Sequence, residues 1–282
     1  MRRTYIVTLT CPDRIGVVAD TAGYLAGQGC NVLESAQFGD SGDRRFFLRC
    51  LFDAPQDLTP ERLEAGFAPV AERYGMNVRF YDQTQPTPAV ILVSRFGHCL
   101  NDLLYRTRIG ALPIAVKAVI SNHEDLRDLA EAAGAPFHHL PMDAGKPAQE
   151  ARLVETVEGL GAELVVLARY MQVLSPELCV RWAGRVINIH HSFLPSFKGA
   201  KPYHRAHALG VKLIGATAHY VTGDLDEGPI IEQAVERVQH SLSVADFTAV
   251  GRDVEALVLA RAVKWHAERR ILLNGRRTVV FP

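Results

Sequence analysis

Asn188 and His190 stand two residues apart in the run Asn188-Ile189-His190-His191-Ser192-Phe193-Leu194-Pro195-Ser196-Phe197-Lys198-Gly199. On a strand, residues two apart share a face, so an amide donor and an imidazole can address one substrate oxygen. A second polar run, Gly215–Ile230, carries His219 and the loop carboxylates of Asp224 and Asp226. A carboxylate there can hold the imidazole protonated or bind a water. Together these groups suffice for acyl transfer through a tetrahedral intermediate. Two other readings stay open on spacing alone. Asn188 and His190 can simply cap strand ends. His190, His191, His204, His207 and His219 can supply ligands to a catalytic zinc. However, no His-Glu-x-x-His is present, and His204 and His207 have no flanking carboxylate.

The elements that must position these groups fall into two patterns. Over residues 1–82, strand-like Thr4–Thr10 leads through Pro12-Asp13-Arg14-Ile15-Gly16 into an amphipathic helix, Val17–Gln28. A hairpin, Asn31–Phe38 with Arg45–Phe52, precedes a helix over Pro60–Tyr74 and a strand over Asn77–Tyr81. The order βαββαβ is that of a ferredoxin-like unit. Residues 83–88, Gln-Thr-Gln-Pro-Thr-Pro, read as a linker. Residues 89–282 then alternate continuous apolar strands (Ala89–Ser94, Ile114–Ser121, Phe137–Leu140, Glu163–Ala168, Arg185–His190) with helical segments. That pattern predicts an α/β domain with a Rossmann-like, mostly parallel sheet covered on both faces. Ligands of such sheets sit beyond the carboxyl ends of the strands. Arg169–Leu174 and the histidine-rich run both fall there.

Composition narrows the classes of partner. The 31 acidic and 31 basic residues cancel, so no global field selects nucleic acid or an anionic membrane. No apolar run approaches the roughly 18 to 20 residues of a membrane helix, and the start lacks a signal-peptide pattern. The five cysteines include no close pair, which suits a reducing compartment. The expected location is the cytoplasm.

The two polar runs resemble the signature of the folate-dependent formyltransferases: Asn-x-His, Ser-x-Leu-Pro-x-x-x-Gly, Gly-x-Thr-x-His and Asp-x-Gly-Pro-Ile, in that order. The resemblance implies that Asn188, His190 and Asp226 are catalytic and that His219 supports them. It further places the pterin pocket at Tyr170, Met171, Gln172, Val173 and Leu174, with Asp224 in the facing loop. Gln172 stands where the family often has arginine. Ser94-Arg95-Phe96-Gly97-His98 replaces the small, open phosphate-binding loop of the ribonucleotide transformylases. That loop, His190-His191-Ser192 and Gly199-Ala200-Lys201-Pro202-Tyr203-His204 resemble instead the formyltetrahydrofolate deformylases. The implied reaction is hydrolysis of 10-formyltetrahydrofolate to tetrahydrofolate and formate, which balances one-carbon pools and supplies formate for purine synthesis. Formyl transfer to an amine acceptor, as in a glycinamide ribonucleotide transformylase, is the alternative. Neither a metal nor a tightly bound cofactor is expected.

Residues 1–82 resemble an ACT domain, a module that often binds amino acids between paired subunits. By that resemblance Asp13, Arg14, Gly16 and Asn31 would bind an amino-acid effector, methionine or glycine, and the domain would build a homo-oligomer.

Overall fold

The computed structural model describes residues 2–143, 145–195 and 202–282. The undescribed stretch includes Gly199 of the formyltransferase-like motif and the Gly199-Ala200-Lys201 of the deformylase-like one. The chain divides into two compact units. One comprises residues up to Pro86 with Glu268–Asn274 and Val279–Pro282, and the other Thr87–Ala267 with Gly275–Thr278. No helix among the described residues is long and apolar enough to cross a membrane.

The first unit runs β1 (Arg2–Pro12), α1 (Val17–Gly27), β2 (Asn31–Asp40), β3 (Arg45–Pro55), α2 (Pro60–Tyr74) and β4 (Asn77–Asp82). Its sheet has the order β2-β3-β1-β4, with every neighbour antiparallel. Strand alternation sends Tyr5, Val7, Leu9 and Cys11 of β1 to one face, where they pack with Leu25 of α1 and Leu63 and Phe67 of α2. α2 starts at Thr59, whose hydroxyl accepts from the Arg62 amide at 3.4 Å, with Pro60 in the first turn. It stops at Gly75, left-handed at φ 63°.

The other face of that sheet carries the end of the chain. Ala36 and Phe47 pack with Leu272, Val279 and Phe281. Arg49, fully enclosed, donates to the Glu268 carbonyl at 3.1 Å and to Glu34 at 3.0 Å. The sequence reading assigned everything after residue 88 to the second domain. The final residues cluster with the first unit because Leu272 and Phe281 complete its core.

The second unit runs β5 (Thr87–Val93), α3 (His98–Arg108), β6 (Ile114–Ser121), α4 (Arg127–Ala132), β7 (Phe137–His139) and α5 (Lys146–Gly159). It continues with β8 (Leu164–Leu167), α6 (Pro176–Arg181), β9 (Val186–His190), α7 (Pro202–Ala208), β10 (Leu213–Tyr220), β11 (Ile230–Arg237) and α8 (Val244–Ala267). The sheet order is β11-β10-β9-β8-β5-β6-β7. β5 to β9 are parallel, while β10 and β11 return antiparallel at one edge. Val90, Ile91, Leu92 and Val93 of β5 are completely buried, as a strand covered on both faces requires. From β5 the chain moves first to β6 on one side and later to β8 on the other. That reversal is where open α/β sheets leave a crevice.

Leu272 is buried in the cluster on the outer face of the first sheet. Leu272→Ala should destabilise the first unit by about 2–4 kcal/mol through the cavity it leaves. Hydrogen exchange at the Phe47 and Arg49 amides reads this directly: both should exchange faster in the variant, and unchanged protection would contradict the packing.

Candidate active site

A cavity of about 260 Å³ opens at the carboxyl ends of β8 and β9. Its walls are the segment after β8, the end of β9, and the loop after β10. Asn188 and His190 both line it, in keeping with their shared strand face. β9 ends at His190 and the chain bends at His191, so two consecutive imidazoles reach the same cavity.

Antiparallel pairing of β9 with β10 sets Asn188 opposite His219 and His190 opposite Thr217. Asn188 Nδ2 lies 3.3 Å from His219 Nε2, and His219 Nδ1 lies 2.9 Å from the Tyr220 carbonyl. A carbonyl only accepts, so Nδ1 carries the proton. Thr217 is buried, accepts from the Leu194 amide at 3.0 Å and donates to the Ser192 carbonyl at 2.9 Å, which fixes the chain beyond the histidines.

Asp226 reaches the same point from the loop after β10. Its Oδ1 is 3.2 Å from His190 Nδ1 and 3.8 Å from His219 Nε2. Burial alone would raise this carboxyl. Hydrogen bonds from His190 and His219, and their charges, outweigh it and hold Asp226 well below the usual carboxylate range. The backbone of Asp226 is left-handed, φ 57°, a conformation that aspartate tolerates better than most residues. Two residues on, a Cβ at Gly228 would overlap the Tyr220 carbonyl and approach His219 Nδ1 at 3.2 Å. The glycine of the Asp-x-Gly-Pro run therefore lets the loop close tightly enough to deliver the carboxylate.

With Nδ1 of His190 committed to Asp226, its Nε2 is buried with no hydrogen-bond partner among the described residues. Protonated, that nitrogen is a donor for an oxyanion; neutral, it is a base. The Asn188 amide stands on the same cavity wall. The arrangement can stabilise charge on an acyl oxygen and move a proton.

Tyr170, Met171, Gln172, Val173, Leu174 and Asp224 all line this cavity. They are not equivalent. Tyr170 and Leu174 are buried in the core beneath it, and the Tyr170 hydroxyl accepts from Gln149 at 2.8 Å. Met171 and Val173 are 54% and 57% exposed, which leaves apolar surface free for a flat ring. Asp13, Arg14 and Gly16 sit together at the start of α1, where Gly16 is left-handed at φ 99°. Asn31 is elsewhere. Through Asp53 it aligns with Thr4, eight residues back along β1 from Pro12, roughly 25 Å away at strand spacing. The four expected effector residues do not meet within one chain.

Sequence reasoning did not single out Glu255. This carboxylate of α8 is 1% exposed. His98 donates to it from 2.8 Å and Tyr203 from 2.5 Å, while Arg169 Nε lies 3.4 Å away. Burial would raise its carboxyl, but the His98 hydrogen bond, the Arg169 charge and the Tyr203 hydroxyl hold it below its ordinary value. The available signal was a glutamate among Val254, Val258 and Leu259 on the buried helix face. The same network uses the bulky loop after β5: the Arg169 guanidinium lies 5.3 Å over Phe96, and His98 opens α3.

His98, Cys99 and Glu255 bring potential metal-ligand atoms within 4.8 Å of one another. Their chemistry fits a charge network better than a cation site. His98 and Glu255 already satisfy each other, Arg169 places a positive charge beside the same oxygen, and burial pushes the Cys99 thiol well up. Of the histidines weighed as zinc ligands, His190, His191 and His219 line the cavity, while the other two lie outside it. His204 is exposed, and His207 Nε2 donates to the Leu242 carbonyl at 3.1 Å.

Residues 88–263 match the Formyl transferase family and residues 3–81 the ACT domain. A formyltetrahydrofolate deformylase of Corynebacterium sp. (strain P-1) is 50% identical over 98% of both chains. The crystal structure of formyltetrahydrofolate deformylase from Burkholderia mallei is 54% identical, with a TM-score of 0.95 over 99% of this chain and 100% of that one. The chain belongs to the formyltetrahydrofolate deformylase family. A glycinamide ribonucleotide transformylase from Symbiobacterium toebii is more distant: 32% identical, TM-score 0.68, covering 72% of this chain and 97% of its own. The difference in coverage matches the N-terminal unit, which the deformylases share and the transformylase lacks.

His191 sits where a positive ring is disfavoured. Burial, the Arg169 guanidinium and His190 push its pKa down from 6.5 to about 4, against weaker opposing influence from Glu255 and Asp226. Between those values the unfolded chain binds the extra proton, so His191 withdraws stability as pH falls from 6.5 towards 4. Relative to His191→Gln, the wild type should lose about 3 kcal/mol from pH 7 to pH 4. Denaturant titrations of both proteins across that range check it. A pH-independent difference would mean the ring is solvated.

Proposed function

We infer that this protein hydrolyses 10-formyltetrahydrofolate to tetrahydrofolate and formate. The observation that carries the reading is the convergence of Asn188, the unpartnered Nε2 of His190 and the ionised Asp226 on one cavity. The pterin would lie against Met171 and Val173 near Gln172, with Asp224 facing it. Water attacks the formyl carbon, and the carbonyl π pair moves to oxygen. Asn188 and protonated His190 stabilise that oxyanion, while Asp226 keeps the imidazolium charged. Collapse breaks the C–N10 bond, N10 takes a proton, and formate leaves.

The loop after β5 supports water as acceptor. Phe96 and His98 occupy it and are held by Arg169 and Glu255, which leaves no open run of backbone amides for a phosphorylated amine. We propose that no metal is needed, because the one compact donor cluster among the described residues is engaged internally. Five unpaired cysteines support a reducing cytoplasm. Formate released there can supply purine synthesis.

Protein dialysed against a strong chelator should release formate from 10-formyltetrahydrofolate with no amine present. Asp226→Asn should lower turnover by at least about 100-fold while tetrahydrofolate still binds. Turnover near that of the wild type in this variant would remove Asp226 from the mechanism.

We further propose that the ACT domain pairs subunits and senses an amino acid. β2 is an edge strand with Val32, Leu33 and Phe38 exposed, which a second copy would cover. Pairing would also let Asn31 of one subunit serve a site whose other residues, Asp13, Arg14 and Gly16, lie in another. Calorimetric titration with methionine and with glycine should give heat that Asp13→Ala abolishes. Heat unchanged by that substitution would move the site away from this loop.

A further inference from the structure

Among the described residues, five buried side-chain nitrogens have no hydrogen-bond partner, and three of them border the catalytic cavity: Arg169 Nε, His190 Nε2 and His191 Nδ1. The mechanism above uses only His190. His191 is the next residue along the chain, and its ring packs edge-to-face on His190 with centroids 5.0 Å apart. Its other neighbour is the Tyr203 ring at 6.3 Å, also edge-on. Tyr203 is pinned in turn. Its hydroxyl is held by Glu255, and its ring lies so close to α8 that a Cβ at Gly251 would overlap it. The imidazole is thus clamped in one orientation with one nitrogen that meets no hydrogen-bond partner among the described residues.

Hydrolysis requires something that an oxyanion site does not supply. A neutral water must lose a proton as it attacks, and His190 cannot take it while serving as a charged donor to the formyl oxygen. We propose that His191 is the base that holds and deprotonates the attacking water through Nδ1. The water O–H bond breaks towards Nδ1 while its oxygen pair forms the C–O bond to the formyl carbon. The same proton then passes to N10 as the C–N10 bond breaks, which returns His191 to its neutral form. Burial, the Arg169 cation and His190 favour that neutral form. Tyr203, held by Glu255, positions the ring without touching the reacting atoms.

The proposal rests on the hydrolytic reading, so formate release by the intact wild-type protein without amine is measured first. Its absence would sink both. His191→Ala and His191→Asn are then compared with the wild type from pH 6 to pH 9. The asparagine keeps a hydrogen-bonding atom near the Nδ1 position but cannot take a proton. Both variants should lose about 100-fold in kcat at pH 7, with affinity for tetrahydrofolate within about threefold of the wild type. The ratio of variant to wild-type rate should climb with pH, approaching tenfold per unit as hydroxide replaces the missing base. Tyr203→Phe should lower kcat several-fold with a ratio that does not change with pH, because its base is still present. A pH-independent ratio for both His191 variants, an asparagine variant keeping a tenth or more of wild-type kcat, or loss of tetrahydrofolate binding would overturn the role.

Discussion

The cross-strand pairing of β9 with β10 is the constraint on which the site depends. It sets Asn188 opposite His219 and brings the imidazoles of His190 and His219 to one carboxylate. A slip of one residue would turn Asn188 and His190 to the other face of the sheet. Thr217 guards against that slip. It is buried opposite His190, bonded to the Ser192 carbonyl, the Leu194 amide and the Gln233 amide at 3.0 Å. Register, not loop shape, decides where the imidazoles stand. The loop adds only the last step, the left-handed turn at Asp226 and the close approach at Gly228.

Much of this was legible in sequence because it obeys local rules. The period-two run of β1 and the continuous apolar run of β5 each announce how many faces are covered, and the motif order exposes the formyltransferase signature. β10 and β11 were harder. β10 reads Leu-Ile-Gly-Ala-Thr-Ala-His-Tyr, rich in small residues, and β11 carries Glu232, Gln233, Glu236 and Arg237. Neither gives an apolar alternation strong enough to mark an edge hairpin, since their place in the sheet is set by β9 and by α8 packed over them. The C-terminal segment escaped for another reason. Leu272 and Phe281 have the pattern of a final strand, but nothing local says which core they complete.

Glu255 shows the same limit within the site. Its sequence neighbourhood is an ordinary amphipathic helix, and only the tertiary structure brings His98, Arg169 and Tyr203 to it. Burying a carboxylate costs several kcal/mol unless it is paired and hydrogen-bonded. Here each oxygen has a donor, and a guanidinium balances the charge. Such a network has little freedom to move. Removing one member leaves the others uncompensated, so these four residues are fixed as a unit.

Two consecutive histidines therefore meet opposite surroundings a few ångströms apart. His190 faces the ionised Asp226, which stabilises a positive ring. His191 faces Arg169, which penalises one. A carboxylate beside one ring and a guanidinium beside the other would, in the mechanism we propose, separate the donor of a hydrogen bond from the acceptor of a proton. An amine attacks through its free lone pair without first losing a proton and needs mainly the oxyanion donor. Water is a poorer nucleophile and needs both. A site with one imidazole beside a carboxylate and the next beside a guanidinium is, under the mechanism we propose, matched to the poorer nucleophile, and the buried Glu255 holds Arg169 in place.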